Sequence, residues 1–189
     1  MLNITEEKKE VRARFVKLRN ALSETVCIAK SNAIEKRVLA SSEFISANVI
    51  QFYVSNGFEV QTHRLIEEAM RLGKKVVVPV LSEAKRPWVV PPTLSEISDP
   101  KRRVSSEEVD VWILPAVACD TMGHRLGRGG GYYDRLLQRC VRKILCLVFE
   151  FQMVDALPFE QTDHNVDLII TEDRTILCGV NTSPFGHPS

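Results

Sequence analysis

Residues 75–80 (Lys-Val-Val-Val-Pro-Val) run apolar without polar interruption, and residues 111–117 (Val-Trp-Ile-Leu-Pro-Ala-Val) and 144–149 (Ile-Leu-Cys-Leu-Val-Phe) repeat the pattern. A strand open to water on one face alternates apolar and polar side chains, whereas a strand apolar throughout is covered on both faces. That condition is met by a parallel sheet held between layers of helices, with right-handed crossovers joining its strands.

The intervening segments supply those helices. Val11, Phe15, Leu18 and Leu22, spaced by four, three and four, predict an amphipathic helix over residues 5–22. Ser23-Glu24 reads as the N-cap and first turn of a second helix reaching residue 40. A strand is expected over residues 49–54, a turn at Ser55-Asn56-Gly57, and a helix over 62–72 closed by Gly73. Residues 81–108, with Pro87, Pro91, Pro92 and Pro100, read as a long irregular excursion holding at most a short hairpin. A helix over 133–141 and strands over 143–149 and 166–171 complete the pattern. The expectation is a three-layer α/β/α, Rossmann-like fold with a mostly parallel sheet, one domain over residues 1–178, and a flexible tail over 179–189.

Composition narrows the function classes. The 189 residues are 44% hydrophobic and 26% charged, the balance of a globular chain. With 25 Lys plus Arg against 24 Asp plus Glu there is no global positive field for nucleic acid or anionic membranes, so any basic site is local. No window approaches the ~20 apolar residues of a membrane span, and Met1 to Arg14 lacks a signal-peptide core, so a cytoplasmic location and no membrane partner are expected. The five cysteines (Cys27, Cys119, Cys140, Cys146, Cys178) form no C-x-x-C pair and read as reduced, mostly buried thiols.

The chemistry concentrates in residues 120–135. Four of the nine glycines fall between Gly127 and Gly131, after a strand and before a helix, where bare N–H groups and a helix N-terminus can meet an anion. Arg125 and Arg128 add fork-shaped donors suited to phosphate. The spacing is neither that of a P-loop nor G-x-G-x-x-G, because Asp134 stands where the last glycine of the latter would be. A carboxylate beside a phosphate cradle needs a cation between them, and Mg²⁺ takes one or two carboxylates plus phosphate oxygens.

The segment Arg125-Leu126-Gly127-Arg128-Gly129-Gly130-Gly131-Tyr132-Tyr133-Asp134-Arg135 resembles the 5-formyltetrahydrofolate cyclo-ligase family. The resemblance extends to Lys8, Arg12, Leu18, Arg19, Leu22 and Ser23 near one end and to residues 157–167 and 169–172 near the other. It implies an ATP- and Mg²⁺-dependent enzyme, expected as a monomer. The formyl oxygen on N5 of the reduced folate attacks the γ-phosphate, N10 closes the ring, and phosphate leaves to give the 5,10-methenyl product.

Carried over by residue, the resemblance implies that Lys8 and Arg12 hold ATP phosphates together with Arg125, Leu126, Gly127, Arg128, Gly129, Gly130, Gly131, Tyr132 and Tyr133. Arg128 and Tyr133 are the expected catalytic residues. Val54, Glu59, Arg128, Gly129, Gly130, Gly131 and Tyr132 are the expected folate contacts, and Asp134 and Asp163 the metal carboxylates. At ~100° per residue, Lys8, Arg12 and Arg19 share one edge of the first helix's apolar stripe, while Lys9 and Lys17 face solvent. Without the resemblance, that basic run reads as a solvated face and Glu59 as a loop acid.

Two departures from the family pattern fall on the folate half. Trp88 and Pro91-Pro92 occur without the family's Glu-Pro step, and Cys119 stands where phenylalanine is common. The residues thus leave open two other readings: a related ATP-using enzyme acting on a different carbonyl or formyl substrate, and a non-catalytic nucleotide-binding module.

Overall fold

The computed structural model describes residues 3–79, 87–89, 104–137, 142–160 and 162–179. The helices are α1 (Ile4–Asn20), α2 (Glu24–Ala40), α3 (Ser42–Ser46), α4 (His63–Arg71) and α5 (Tyr132–Leu137). The strands are β1 (Val49–Gln51), β2 (Lys75–Pro79), β3 (Pro87–Val89), β4 (Val111–Pro115), β5 (Ala118–Asp120), β6 (Arg125–Leu126), β7 (Lys143–Leu147), β8 (Met153–Val154), β9 (Leu168–Ile170) and β10 (Thr175–Leu177).

Local chemistry sets the helix ends. Asn3 accepts from Thr5 N at the start of α1, Glu6 and Glu7 occupy its first turn, and Lys17 and Arg19 its last, matching the helix dipole at both ends. Ser23 caps α2 by accepting from Val26 N at 3.3 Å, as its position predicts. Ser41 caps α3, a short helix that the apolar spacing did not announce.

Seven strands form the main sheet in the order β10-β9-β7-β4-β1-β2-β3, parallel from β9 to β2 and antiparallel at both edges. The unalternated apolar runs lie in its centre, as expected, and their alternate residues serve different cores. Val76, Ile113, Leu145, Leu147 and Ile170 face one core with Ile34, Val38 and Phe44 of α2 and α3. Val77, Trp112, Leu114, Cys146 and Ile169 face the other with Leu136 and Leu137 of α5. Both faces of the sheet are covered, giving the α/β/α layering.

The strands are shorter than the apolar runs. β1 ends at Gln51, although Phe52 N still donates to Val77 O at 2.9 Å; Thr62 Oγ1 then donates to Tyr53 O and turns the chain out of the sheet. The run at 111–117 splits at Pro115, beyond which β5 enters a second, three-stranded sheet of order β6-β5-β8. This small sheet was not foreseen, because its strands are too short to show a period. α1 packs on it through Phe15 against Val117, Ala118, Leu126 and Leu157. Of the excursion after β2, Pro87–Val89 pairs antiparallel with Val77–Pro79, while Pro91, Pro92 and Pro100 lie outside the described residues. So do the second half of the helix expected over 133–141, Cys140, and residues 180–189 of the expected tail.

Cys119 is fully buried, with Sγ 3.5 Å from Cys146 Sγ. Its departure from the family pattern therefore falls in the buried core.

Candidate active site

The main sheet reverses direction between β1 and β4: the chain runs outward from β1 through β2 to β3, and from β4 through β7 to β9 and β10. Open α/β sheets bind ligands beyond the carboxyl ends of strands at such a switch point. A cavity of about 590 Å³ lies there, bounded by Pro115 at the end of β4, by Ala116 and Val117 beyond it, and by Glu59 after β1. Buried Gln152 fixes that floor by donating to Ala116 O and Val117 O at 3.0 and 2.9 Å.

The small sheet brings α1 across the cavity. Lys8 and Arg19 are buried on its inner edge, and Arg12 Nε donates to Gly127 O at 2.9 Å. Lys9 pairs with Glu6 on the outside, so Lys8 is the inward lysine. Lys8 Nζ meets Asp163 Oδ2 at 2.6 Å and Glu160 Oε2 at 3.0 Å. Burial pulls the Lys8 ammonium pKa down, but hydrogen bonds and charge from Asp163 and Glu160 outweigh it and leave it raised. Burial pushes the Asp163 carboxyl up, and Lys8 and Glu160 N reverse that, holding it below the usual carboxylate value.

The glycine-rich loop forms another wall. Gly129 and Gly131 have φ of +97° and +58°, a region L side chains seldom adopt, so glycine is required there. A Cβ on Gly129 would also come 3.4 Å from the Arg12 guanidinium carbon. At the loop's two ends, Arg125 Nη2 lies 2.5 Å from Asp134 Oδ1 and Arg128 Nη2 lies 2.6 Å from Glu59 Oε1. The cation beside Asp134 in the free protein is thus Arg125. Glu59 Oε2 accepts from Asn56 N at 2.9 Å, fixing the carboxylate in its loop. Tyr132 and Tyr133 meet edge to face at 5.3 Å, and burial pushes the Tyr133 phenol pKa up, keeping it protonated.

Every expected site residue except Val54 lines this cavity. Val54 is 48% exposed and absent from the lining, because the chain leaves the sheet before it. Arg19 lines the cavity without having been singled out for it. The brace behind the last loop was also missed. Buried Asp120 accepts from Met122 N, His124 N, His124 Nδ1 and Leu157 N, and the His124 ring stacks on Phe159 at 4.0 Å and 8°. His124 thus anchors the segment leading to Glu160 and Asp163. Only the fold brings residues 120–124 against 157–159, and no sequence spacing carries that contact.

The model of the 5-formyltetrahydrofolate cyclo-ligase family matches residues 4–172, from α1 through the loop that carries Asp163 to the end of the last parallel strand. The chain belongs to this family. It is 26% identical over 91% of its length to a 5-formyltetrahydrofolate cyclo-ligase of Mus musculus, covering 97% of that protein. It is 30% identical over 84% of its length to one of Haemophilus influenzae, covering 94% of it. The solved structure of Aquifex aeolicus 5,10-methenyltetrahydrofolate synthetase superimposes with a TM-score of 0.81 at 28% identity, over 95% of this chain and 96% of that one. The cyclo-ligase fold therefore extends through α1 and the small sheet, the two elements that close the cavity. Among the described residues no helix is long and apolar enough to cross a membrane.

Proposed function

We propose that the protein cyclises 5-formyltetrahydrofolate to 5,10-methenyltetrahydrofolate at the expense of ATP. The observation that carries this reading is the convergence of Lys8, Arg12, Arg125, Arg128 and the glycine-rich loop on a cavity that also holds the buried Glu59. The basic groups suit a triphosphate, and a carboxylate accepting hydrogen bonds suits a pterin ring rich in N–H donors.

In the reaction the formyl oxygen attacks the γ-phosphorus and the bond to ADP breaks. N10 then adds to the activated formyl carbon, loses its proton, and the C–O bond breaks to release phosphate and leave the methenyl bridge. The chain's part is alignment and charge neutralisation. Lys8 and Arg12, fixed to one helix, hold the phosphates from one side, and Arg128 meets the transferring group from the other. Tyr133, kept protonated by burial, offers a donor at the cavity wall. Glu59 anchors the ring so that the formyl oxygen faces the loop.

The donor set suits Mg²⁺. Mg²⁺ takes one or two carboxylates and completes its shell with phosphate oxygens and water. Asp134 and Asp163 commit Oδ1 and Oδ2, respectively, to their cationic partners, leaving Asp134 Oδ2 and Asp163 Oδ1 without a hydrogen bond among the described residues. These two residues would hold the ion, which supplies further neutralisation of phosphate charge.

The test is a spectrophotometric assay with 5-formyltetrahydrofolate, ATP and Mg²⁺, following the methenyl chromophore. Product that needs ATP and is lost in Asp134→Asn supports the assignment. No product, with ATP binding intact by calorimetry, would redirect it to another carbonyl substrate.

A further inference from the structure

Arg19 is enclosed and its donors are underused. Its side chain is 8% exposed, and Nη1 stands 3.8 Å from Glu59 Oε1, an ion pair too long to be a hydrogen bond. Its Nε is buried without a partner among the described residues, and the one charge contact of its guanidinium is the long one to Glu59. Burial pulls the guanidinium pKa down, with Glu59 opposing. An idle buried guanidinium is costly, and this one lines the ligand cavity beside Glu59.

The chemistry of the pair defines what it can read. Arginine only donates and an ionised carboxylate only accepts. Side by side, they match a flat edge presenting one acceptor next to donors. A 4-oxo pterin has that edge: the C4 oxygen accepts, and N3–H and the 2-amino group donate. A neutral 4-amino pteridine places donors where Arg19 needs an acceptor and a lone pair where Glu59 needs a donor.

We propose that Arg19 is a specificity-determining residue of the folate subsite, donating to the 4-oxo oxygen while Glu59 accepts from N3–H and the 2-amino group. The inference rests on the folate reading of this cavity. Arg128 does not obstruct it. That side chain is 58% exposed on the glycine-rich loop and can exchange Glu59 for phosphate, whereas buried Arg19 stays on α1 as the fixed counter-charge.

The experiment compares, by calorimetry, binding of 5-formyltetrahydrofolate and its 4-amino counterpart to the wild-type chain, Arg19→Lys and Arg19→Met. The wild type is expected to prefer the 4-oxo ligand by about tenfold to a hundredfold, the range of one charge-assisted hydrogen bond plus its mismatch. Arg19→Met is expected to cut the preference below about threefold by weakening the 4-oxo ligand, with ATP affinity within about twofold of wild type. Arg19→Lys, retaining one cationic donor, falls between, and it decides the matter should Arg19→Met not fold. A preference absent from the wild type, or unchanged in the folded variants, overturns the role of Arg19. A wild type that binds neither pteridine while binding ATP overturns the folate reading instead.

Discussion

Lys8 and Asp163 are separated by 155 residues of chain and meet at 2.6 Å. The contact ties the first helix to the loop between β8 and β9 at the cavity wall, so the site exists only once both ends of the matched family region have folded. It also tells how the closure responds to pH. Asp163, depressed in the folded state, contributes stability above its unfolded pKa of about 3.9 and loses it as pH falls through the folded value. Lys8, raised, contributes below its unfolded pKa of about 10.4 and loses it as pH rises through the folded value. A double-mutant cycle of Lys8→Met and Asp163→Asn, read by thermal unfolding, should therefore give a coupling that is flat between about pH 5 and 9 and declines as pH falls below about 4 through the depressed Asp163 value. Coupling that persists in acid would mean the two do not interact as charges.

Asp134 is paired with Arg125 in the free protein, yet its second oxygen makes no hydrogen bond among the described residues. If that oxygen takes Mg²⁺, Asp134→Asn should raise the Mg²⁺ needed for half-maximal activity by about tenfold or more. The melting temperature should also fall, because Asp134 is the counter-charge of the buried Arg125, so the titration is run well below the variant's melting range. A wild-type Mg²⁺ titration curve would remove Asp134 from the metal site.

Two glycines, one inside the glycine-rich loop and one in the turn between β5 and β6, allow a cleaner separation of fold from function. A Cβ on Gly130 meets nothing within 4 Å, whereas one on Gly123 would stand 2.6 Å from Val166 O at a φ of +90°. Gly123→Ala is expected to destabilise by about 1 to 3 kcal/mol through strain and backbone displacement. Gly130→Ala should unfold like wild type and still bind ATP more weakly, because its Cβ enters the space where phosphate approaches the backbone. Unchanged ATP affinity in Gly130→Ala, measured by calorimetry, would place the phosphates elsewhere.

Much of this architecture was legible in the sequence, for physical reasons that differ from part to part. Val76 to Val78 and Trp112 to Leu114 betray two covered faces because nothing polar interrupts them. Lys8, Arg12 and Arg19 share an edge because helical geometry puts them there. The strand expected over residues 49–54 ends at Gln51, since an apolar run looks the same whether or not the ladder continues, and the turn is set by Thr62, beyond the run. The small sheet left no trace because strands of two or three residues cannot show a period. Asp120 and His124 carry no signal in their spacing, and only the packing of Leu157 and Phe159 reveals them as a brace. Arg19 sat in plain view on the inward edge, but its enclosure beside Glu59 depends on a turn that its own neighbours in sequence do not specify.

Glu59 and Arg128 share one ion pair but face different demands, and their variants should separate the two substrates. Glu59 is held in its loop by Asn56 N and stands beside Arg19, so Glu59→Gln keeps the shape and removes the charge and one acceptor. It should raise KM for 5-formyltetrahydrofolate by about tenfold or more and leave KM for ATP within about twofold, since a charge-assisted bond to the ring is exchanged for a weaker neutral one. Arg128→Ala removes an exposed side chain whose loss creates no cavity. It should instead raise KM for ATP and lower kcat, because the lost donor belongs to the transferring phosphate. Initial rates with each substrate varied in turn give both numbers. Parallel loss of both substrates in Glu59→Gln, with an intact melting curve, would mean that the carboxylate organises the loop through Arg128 and does not touch the folate ring.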